Sequence, residues 1–425
     1  MVCTDNLVSY QPVTITASAA EQQSGFPVGQ MDPRAVSVVE TLREAGHEAY
    51  IVGGGVRDIL LGAKPKDFDV ATSARPNEVR KLFRRARLIG RRFPIVHVLF
   101  GRDYIEVTTF RALESKERLL HESGRILHDS SYGTLAEDAL RRDFTINALY
   151  FDTAAERVID QVGGLEDLAA RRLRLIGVAE TRYREDPVRM LRAVRFAVKL
   201  KFELEAETRA PIAELAPLLA DIPPARLFEE IGKLLLSGHG RAMLTALREH
   251  RLFGELFPLT EEVLGSERDG VFQQFVLAAL DSTDRRIANK EPVTLAFLLA
   301  ALLWPPLRRY ADWLVAEGMG EAAAVQRACA VIMAASNQRI SIPRRLGQPI
   351  REIAQLQSRF RYRHGKRAEL LLAHPRFRAA YDFLVLRTRA NEVDPEVAEF
   401  WTAIQEASPE ERKKMLTPRR RVRRH

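Results

Sequence analysis

The sequence predicts an α+β domain followed by an all-helical half. Three observations carry this. A strand, a glycine turn, a short helix and a second strand follow one another between Tyr50 and Thr72, with helical spacing on either side. That beginning argues for an α/β or α+β domain. After Leu200, apolar residues recur at helical spacing through about Trp401, with breaks near Pro223-Pro224, Gly238-His239-Gly240, Pro258 and Pro305-Pro306 and no fixed-period repeat. The chain has 425 residues, 46% of them hydrophobic, which suits a soluble protein of two or three domains.

Residues 1–30 are polar, poor in large apolar residues, and read as a disordered leader. They lack a basic start followed by an apolar core, so no signal peptide is expected. Pro33 to Ala45 reads as an amphipathic helix with Val36, Val38, Val39 and Leu42 at helical spacing. Tyr50 to Val52 enters the turn at Gly53, Gly54 and Gly55, where the backbone is free to bend and a ligand can come close. Val56 to Leu61 is a short helix with Arg57 and Asp58 facing away from Leu60 and Leu61. In Asp67-Phe68-Asp69, strand alternation puts the two carboxylates on one face and Phe68 with Val70 on the other. Two neighbouring carboxylates repel unless a cation lies between them or one is protonated. Oxygen ligands of this kind suit Mg²⁺, so a phosphate-and-metal site is indicated. No GxGxxG dinucleotide fingerprint and no GxxxxGK[ST] loop is present.

Pro76 to Arg85 reads as a second helix. Arg87 to Phe100 reads as strand, Gly90-Arg91-Arg92 turn, strand, and a further strand over Tyr104 to Arg111 puts Tyr104, Glu106 and Thr108 on one face. Leu113 to Tyr132 lacks periodicity and reads as a mobile loop. Its His128-Asp129 pair is set aside as a phosphohydrolase signal, because the histidines and aspartates that would complete such a site are not evident. Thr134 to Glu137 is a capping box that starts a helix running into Arg141, Arg142, Asp143 and Phe144. The two arginines suit either a plain surface or a triphosphate, which guanidinium groups grip in bidentate fashion. Asp160 to Ile176 reads as a Gly163-Gly164 turn, a short helix and a strand. Asp186 and Pro187 are expected as N-cap and first residue of the next helix. Met190, Leu191, Val194 and Val198 share one arc of it, and Arg189, Arg192 and Arg195 share another. That arginine row suits a solvated face or a base- and phosphate-reading edge. Basic residues from Arg339 to Arg367, interleaved with Phe360 and Tyr362, suit a nucleic-acid backbone or a solvated helix face. The chain closes on a short basic tail, including Arg419, Arg420 and Arg421, able to grip phosphates without reading sequence.

Charge is 65 basic against 56 acidic residues, net +9, which points to a polyanionic partner. Cys3 and Cys329 are the cysteines, too few for a disulfide framework, and a reducing cytoplasm is the simplest compartment. The apolar runs, such as Val293 to Trp304, are too short to span a bilayer.

Four motifs in order resemble the class II tRNA nucleotidyltransferase and bacterial poly(A) polymerase superfamily. They are Gly53-Gly54-Gly55-Val56-Arg57-Asp58, Asp67-Phe68-Asp69, Arg141 through Ala148 (RRDFTINA), and Arg184 through Arg192 (REDPVRMLR). Leu88 to His97 (LIGRRFPIVH), Ile222 to Phe228 (IPPARLF), Gly365-Lys366-Arg367 and His374 to Arg378 (HPRFR) resemble its poly(A) polymerase branch. The loop from Glu114 to Ser130 looks shorter than in that branch, and the tail is brief.

The resemblance implies a leader over 1–30, a nucleotidyltransferase head over 31–178 and a helical neck over 179–250. An RNA-binding body over 251–408 and a basic tail over 409–425 follow. It implies AMP transfer from ATP, the substrate, to RNA 3′ ends without a template, a tailing that promotes RNA decay. Two Mg²⁺ ions would be held by Asp67 and Asp69, with Glu106 as third acid, and Asp143 belongs to the active centre. Gly53, Gly54, Arg57, Arg142, Asp186, Arg189 and Arg192 would meet the nucleotide, and Arg91, Arg92 and Arg419 to Arg421 the RNA. It also implies a cytoplasmic monomer with RNA-decay proteins as partners. Two alternatives remain at this stage, a CCA-adding tRNA nucleotidyltransferase and a non-catalytic RNA-binding protein.

Overall fold

A computed structural model of the chain describes residues 20–22, 28–90, 94–113, 119–120, 126–128 and 131–417. The chain divides into two compact units, one comprising residues 1–181 with 203–208 and the other residues 182–202 with 209–425.

The first unit is built on a mixed sheet. Strand β1 (Ala20–Gln22) lies within the stretch read as a leader and pairs at the sheet edge. Helix α1 (Pro33–Glu44) begins at Asp32, whose side chain accepts from the Arg34 amide, and buries Ala35, Val38, Val39 and Leu42. Strand β2 (Ala49–Val52) leads through Gly53, at φ +81°, into α2 (Gly54–Leu60). Next come β3 (Asp69–Thr72), α3 (Pro76–Leu82), β4 (Ala86–Ile89), β5 (Ile95–Phe100) and β6 (Asp103–Thr109). Within the stretch expected as a loop, β7 (Leu119–Leu120) and β8 (Ile126–His128) form a small antiparallel ribbon. The expected capping box between Thr134 and Glu137 opens α4 (Leu135–Arg141). Strands β9 (Leu149–Asp152) and β10 (Arg157–Asp160), helix α5 (Gly164–Ala169) and strand β11 (Arg172–Leu173) complete the run.

Sheet order is β1-β10-β9-β2-β3-β6-β5-β4. Within it β3 and β6 are parallel and the other neighbours antiparallel. The register lines up one residue from each of five adjacent strands: Tyr150, Val52, Asp69, Glu106 and His97. Paired residues on adjacent strands project to the same side of a sheet, so this row places the acids.

Two local expectations need correction. The strand starts at Asp69, so Asp67 and Phe68 lie on the approach to it. Phe68 is nevertheless buried, because it packs over Gly55, where a Cβ would come within 2.9 Å of the ring. Arg57 does not face away from the protein. It is 3% exposed, while Leu61 lies at the surface.

The second unit is helical. Helix α6 (Ala179–Glu185) crosses into it, and α7 (Val188–Leu200) follows. Met190, Leu191 and Val194 are buried as the spacing requires. Asp186 does not cap α7. The N-cap position falls on Pro187, without a side-chain bond, and Asp186 accepts from Arg226 instead, at 2.7 Å. Pro305 and Pro306 do not break the chain either. They sit inside one helix, Leu295–Ala316, buried on almost every side from Ala296 to Leu307. Close packing on its neighbours offsets the backbone bonds that two prolines forfeit. Phe360 is 1% exposed and packs edge-on against Trp401, so it belongs to the core rather than to a base-stacking stripe. Tyr362 is different, with the guanidinium groups of Arg361 and Arg367 over its ring. Among the described residues no helix is long and apolar enough to cross a membrane.

Gly164 shows how tightly the first unit is assembled. A Cβ there would lie 2.3 Å from the Thr145 carbonyl oxygen, a backbone atom with no room to yield. Gly164→Ala is expected to cost about 2 kcal/mol or more. A denaturant titration of the variant with an unchanged midpoint would contradict this packing.

Candidate active site

The row across the sheet carries an electrostatic problem at its centre. Asp69 and Glu106 stand opposite each other on parallel neighbouring strands. Burial raises the Asp69 carboxyl, and the negative charges of Glu106 and, to a lesser degree, Asp67 raise it further, while Arg142 pulls the other way. The outcome is a carboxyl pushed up to about 6. Glu106 and Asp67 thus both bear on Asp69.

Arg142 is fixed by two side chains absent from the expected site. Its Nε donates to the Tyr150 hydroxyl at 2.9 Å, and its Nη2 donates to Asp138 Oδ2 at 3.0 Å. The Tyr150 hydroxyl donates in turn to the same Asp138 oxygen at 2.7 Å. Burial works against the guanidinium charge, but Tyr150 and Asp138 overrule it, and the proton is held more tightly than usual. The side chain keeps 22% exposure, and Nη1 would stand 3.7 Å from a Cβ added at Gly53. A fixed cation thus flanks the glycine turn on the Tyr150 side of the acids.

Arg57 serves the same turn from within. Its guanidinium donates to Asp58 Oδ1 at 2.9 and 2.6 Å and to Asn147 Oδ1 at 2.5 Å. The Asn147 amide donates to Asp143 Oδ1 at 3.1 Å, and Asp143 also receives the Phe144 amide at 2.8 Å. So Asp143 and Arg57 belong to one brace through Asn147. The brace ties α2 to the turn at Thr145–Asn147.

At the other end of the row, His97 Nε2 lies 3.7 Å from Glu106 Oε2. Its ring stacks on Tyr104, centroids 4.0 Å apart and planes 6° from parallel.

Asp186, Arg189 and Arg192 belong to the second unit. Asp186 with Arg226 joins two of the sequence motifs to each other. Arg189 donates to the Arg182 carbonyl at 2.7 Å and to Glu185 at 3.1 Å. Arg192 and Arg195 both lie over the Phe196 ring. The arginine row is half-buried and bonded, not a freely solvated face. Arg91, Arg92, Arg419, Arg420, Arg421 and Asp129 lie outside the described residues.

Among the described residues no group of three or more His, Cys, Asp or Glu side chains makes an ion cage unaided. Mg²⁺ does not ask for one, since it commonly takes one or two carboxylates and completes its shell with water and substrate phosphates. Asp69 and Glu106, set side by side at mutual cost, fit that donor set.

Asp138, Tyr150 and Asn147 were not singled out from the sequence. Asn147 stood inside a quoted motif and Asp138 directly after the Thr134–Glu137 cap, but nothing local revealed their partners.

A family model described as the Poly A polymerase head domain matches residues 49–174. One described as "Probable RNA and SrmB- binding site of polymerase A" matches 201–264, and one described as the polymerase A arginine-rich C-terminus matches 317–425. Poly(A) polymerase I of Salmonella typhimurium is 47% identical over 416 residues, covering 94% of this chain and 90% of its own. That of Haemophilus influenzae is 43% identical, covering 91% and 88%. A CCA-adding enzyme of Streptococcus pneumoniae is 42% identical over 64% of this chain and 63% of its own, a more distant relative. Among solved structures, a tRNA-processing enzyme is similar in fold at TM-score 0.62 and 21% identity, covering 94% of this chain and 100% of that one. The Thermotoga maritima CCA-adding enzyme complexed with tRNA gives TM-score 0.59 at 20% identity, covering 88% and 83%.

The Asp69 shift has a stability consequence. The folded protein holds this proton more tightly than the unfolded chain, whose carboxyl lies near 3.8. The stability it contributes is full below pH 3.8 and is lost as pH rises through about 6. Above that, the buried ionised group costs the metal-free protein at most about 3 kcal/mol. Asp69→Asn is therefore expected to raise the melting temperature at pH 7.5 in chelator while removing activity. A lower melting temperature there would refute the charge assignment.

Proposed function

The chain belongs to the poly(A) polymerase family, and from that premise we propose that it is a template-independent polynucleotide adenylyltransferase extending RNA 3′ ends with AMP from ATP. The observation that supports this most is the row in which Asp69 and Glu106 stand together beside an arginine-flanked glycine turn. Such a site has a use for two charged partners at once, a metal and a triphosphate.

Asp67, Asp69 and Glu106 are the groups that would hold two Mg²⁺ ions. When bound, the metal pair lowers the pKa of the attacking hydroxyl and steadies charge on the leaving oxygen. The protein's own part is positioning. Gly53 and Gly54 present open backbone to the triphosphate, and Arg142 meets its negative charge with a guanidinium locked by Tyr150 and Asp138. A donor fixed in place before reaction costs no reorganisation during it. Arg57 and Asp143 keep the turn in shape through Asn147. The RNA 3′-hydroxyl gives up its proton to solvent, its oxygen bonds to the α-phosphorus of ATP, the bond from that phosphorus to the bridging oxygen breaks, and pyrophosphate leaves with that electron pair.

The second unit supplies RNA contacts in this reading. Its arginine-rich segments suit a polyanion, and Asp186, Arg189 and Arg192 would serve the incoming nucleotide. Tailing that marks RNA for decay, a cytoplasmic location, a monomeric state and decay proteins as partners complete the proposal.

A CCA-adding activity is the second reading, favoured by a relative that matches 64% of the chain. Product sizing decides between them. Incubated with a generic RNA and each nucleotide singly, the protein is expected to add an open-ended run with ATP. C-C-A addition that stops, seen only on a tRNA lacking its end, would select the second reading. Asp69→Ala is expected to keep the circular dichroism of the parent and lose AMP incorporation at least 1000-fold, roughly the loss of a metal-binding acid in a charge-driven site. Wild-type incorporation by that variant would remove the metal assignment.

A further inference from the structure

We propose that the stacked pair Tyr104 and His97 is the platform on which the 3′-terminal base of the RNA rests. This inference rests on the adenylyltransferase reading above.

Three observations carry it. The two rings are parallel within 6° and 4.0 Å apart, so they act as one slab. Tyr104 is 52% exposed, which is a large open aromatic surface for a strand residue. One face of the phenol is covered by the imidazole, and about half of the residue stays open to solvent. The slab also adjoins the acids, since His97 Nε2 lies 3.7 Å from Glu106 and pairs with it across β5 and β6.

Strand order says which substrate belongs there. The acids occupy β3 and β6. The glycine turn and Arg142 lie on the β2 and β9 side, and His97 with Tyr104 on the β5 and β6 side. In phosphoryl transfer the attacking and leaving oxygens lie roughly in line through phosphorus. With the triphosphate held at the Arg142 end, the attacking 3′-oxygen comes from the opposite end, where the platform is. The base attached to that sugar then falls on the slab. Stacking on an aromatic surface tolerates any base, as an enzyme that must accept arbitrary RNA ends requires.

The test pairs a protein change with a substrate change. Tyr104→Ala is expected to raise KM for RNA roughly 5- to 100-fold, the range that one lost base–aromatic stack produces, with KM for ATP moving less than twofold. Tyr104→Phe, which keeps the ring, is expected to restore the wild-type KM for RNA. The wild-type protein given an RNA whose last nucleotide is abasic should lose the same factor, and Tyr104→Ala should lose nothing further on that RNA. Equal use of abasic and intact ends by the wild type, independent multiplying losses, or a change confined to KM for ATP would each overturn the platform. Failure of the wild type to add AMP to any RNA would instead overturn the adenylyltransferase reading.

Discussion

Everything at this site depends on two like charges held side by side. The parallel register of β3 and β6 sets Asp69 against Glu106, and the fold accepts the repulsion instead of separating them. Most buried acids are paired with a cation of the protein's own. Here the compensating guanidinium of Arg142 is tied to Tyr150 and Asp138, and it lowers the Asp69 carboxyl without cancelling the effect of Glu106. A deficit of positive charge is thereby kept in reserve for metal and substrate. Native structures commonly hold such strain at functional sites and support it elsewhere.

The supports are visible around it. The Arg57–Asn147–Asp143 brace holds the glycine turn from below, and Gly55 lets Phe68 close over it. Asp167 extends this support: fully buried, it accepts from Thr145 at 2.7 Å and from Arg172 and Arg174 at 2.6 and 2.7 Å. Thr145 begins the same turn that carries Asn147. Each hydrogen bond to a charged group is worth about 1.5–3 kcal/mol, so the turn is anchored well beyond what its own backbone provides.

Much of this was legible in the residues and some was not, for a consistent reason. The glycine turn, the Thr134–Glu137 cap and the alternation of Tyr104, Glu106 and Thr108 are local signals, and all appear as read. The neighbourhood of Asp69 and Glu106 depends on register between strands far apart in the chain, which alternation alone does not determine. Tyr150 carried no local signal of a role, yet its hydroxyl organises Arg142. Helical spacing set Arg57 away from Leu60 and Leu61, but it is buried, received by Asn147 and Asp58. Pro305, Pro306 and Phe360 went astray for the opposite reason. Rules for turns and stripes were applied where tertiary packing had the larger share of the energy.

The strand order also bears on how the chain emerges during synthesis. β2 leaves the ribosome early, but one of its two neighbours is β9, and the arginine that tempers the acids comes just before that strand. Until Tyr150 has been made and has closed against Val52, Arg142 lacks its anchor and the acids lack their counterweight. A nascent chain therefore carries its glycine loop and carboxylates for some hundred residues as an inert segment. The row across the sheet is complete only when β9 has paired with β2, so a chain cut short before Tyr150 would lack the anchor that holds Arg142.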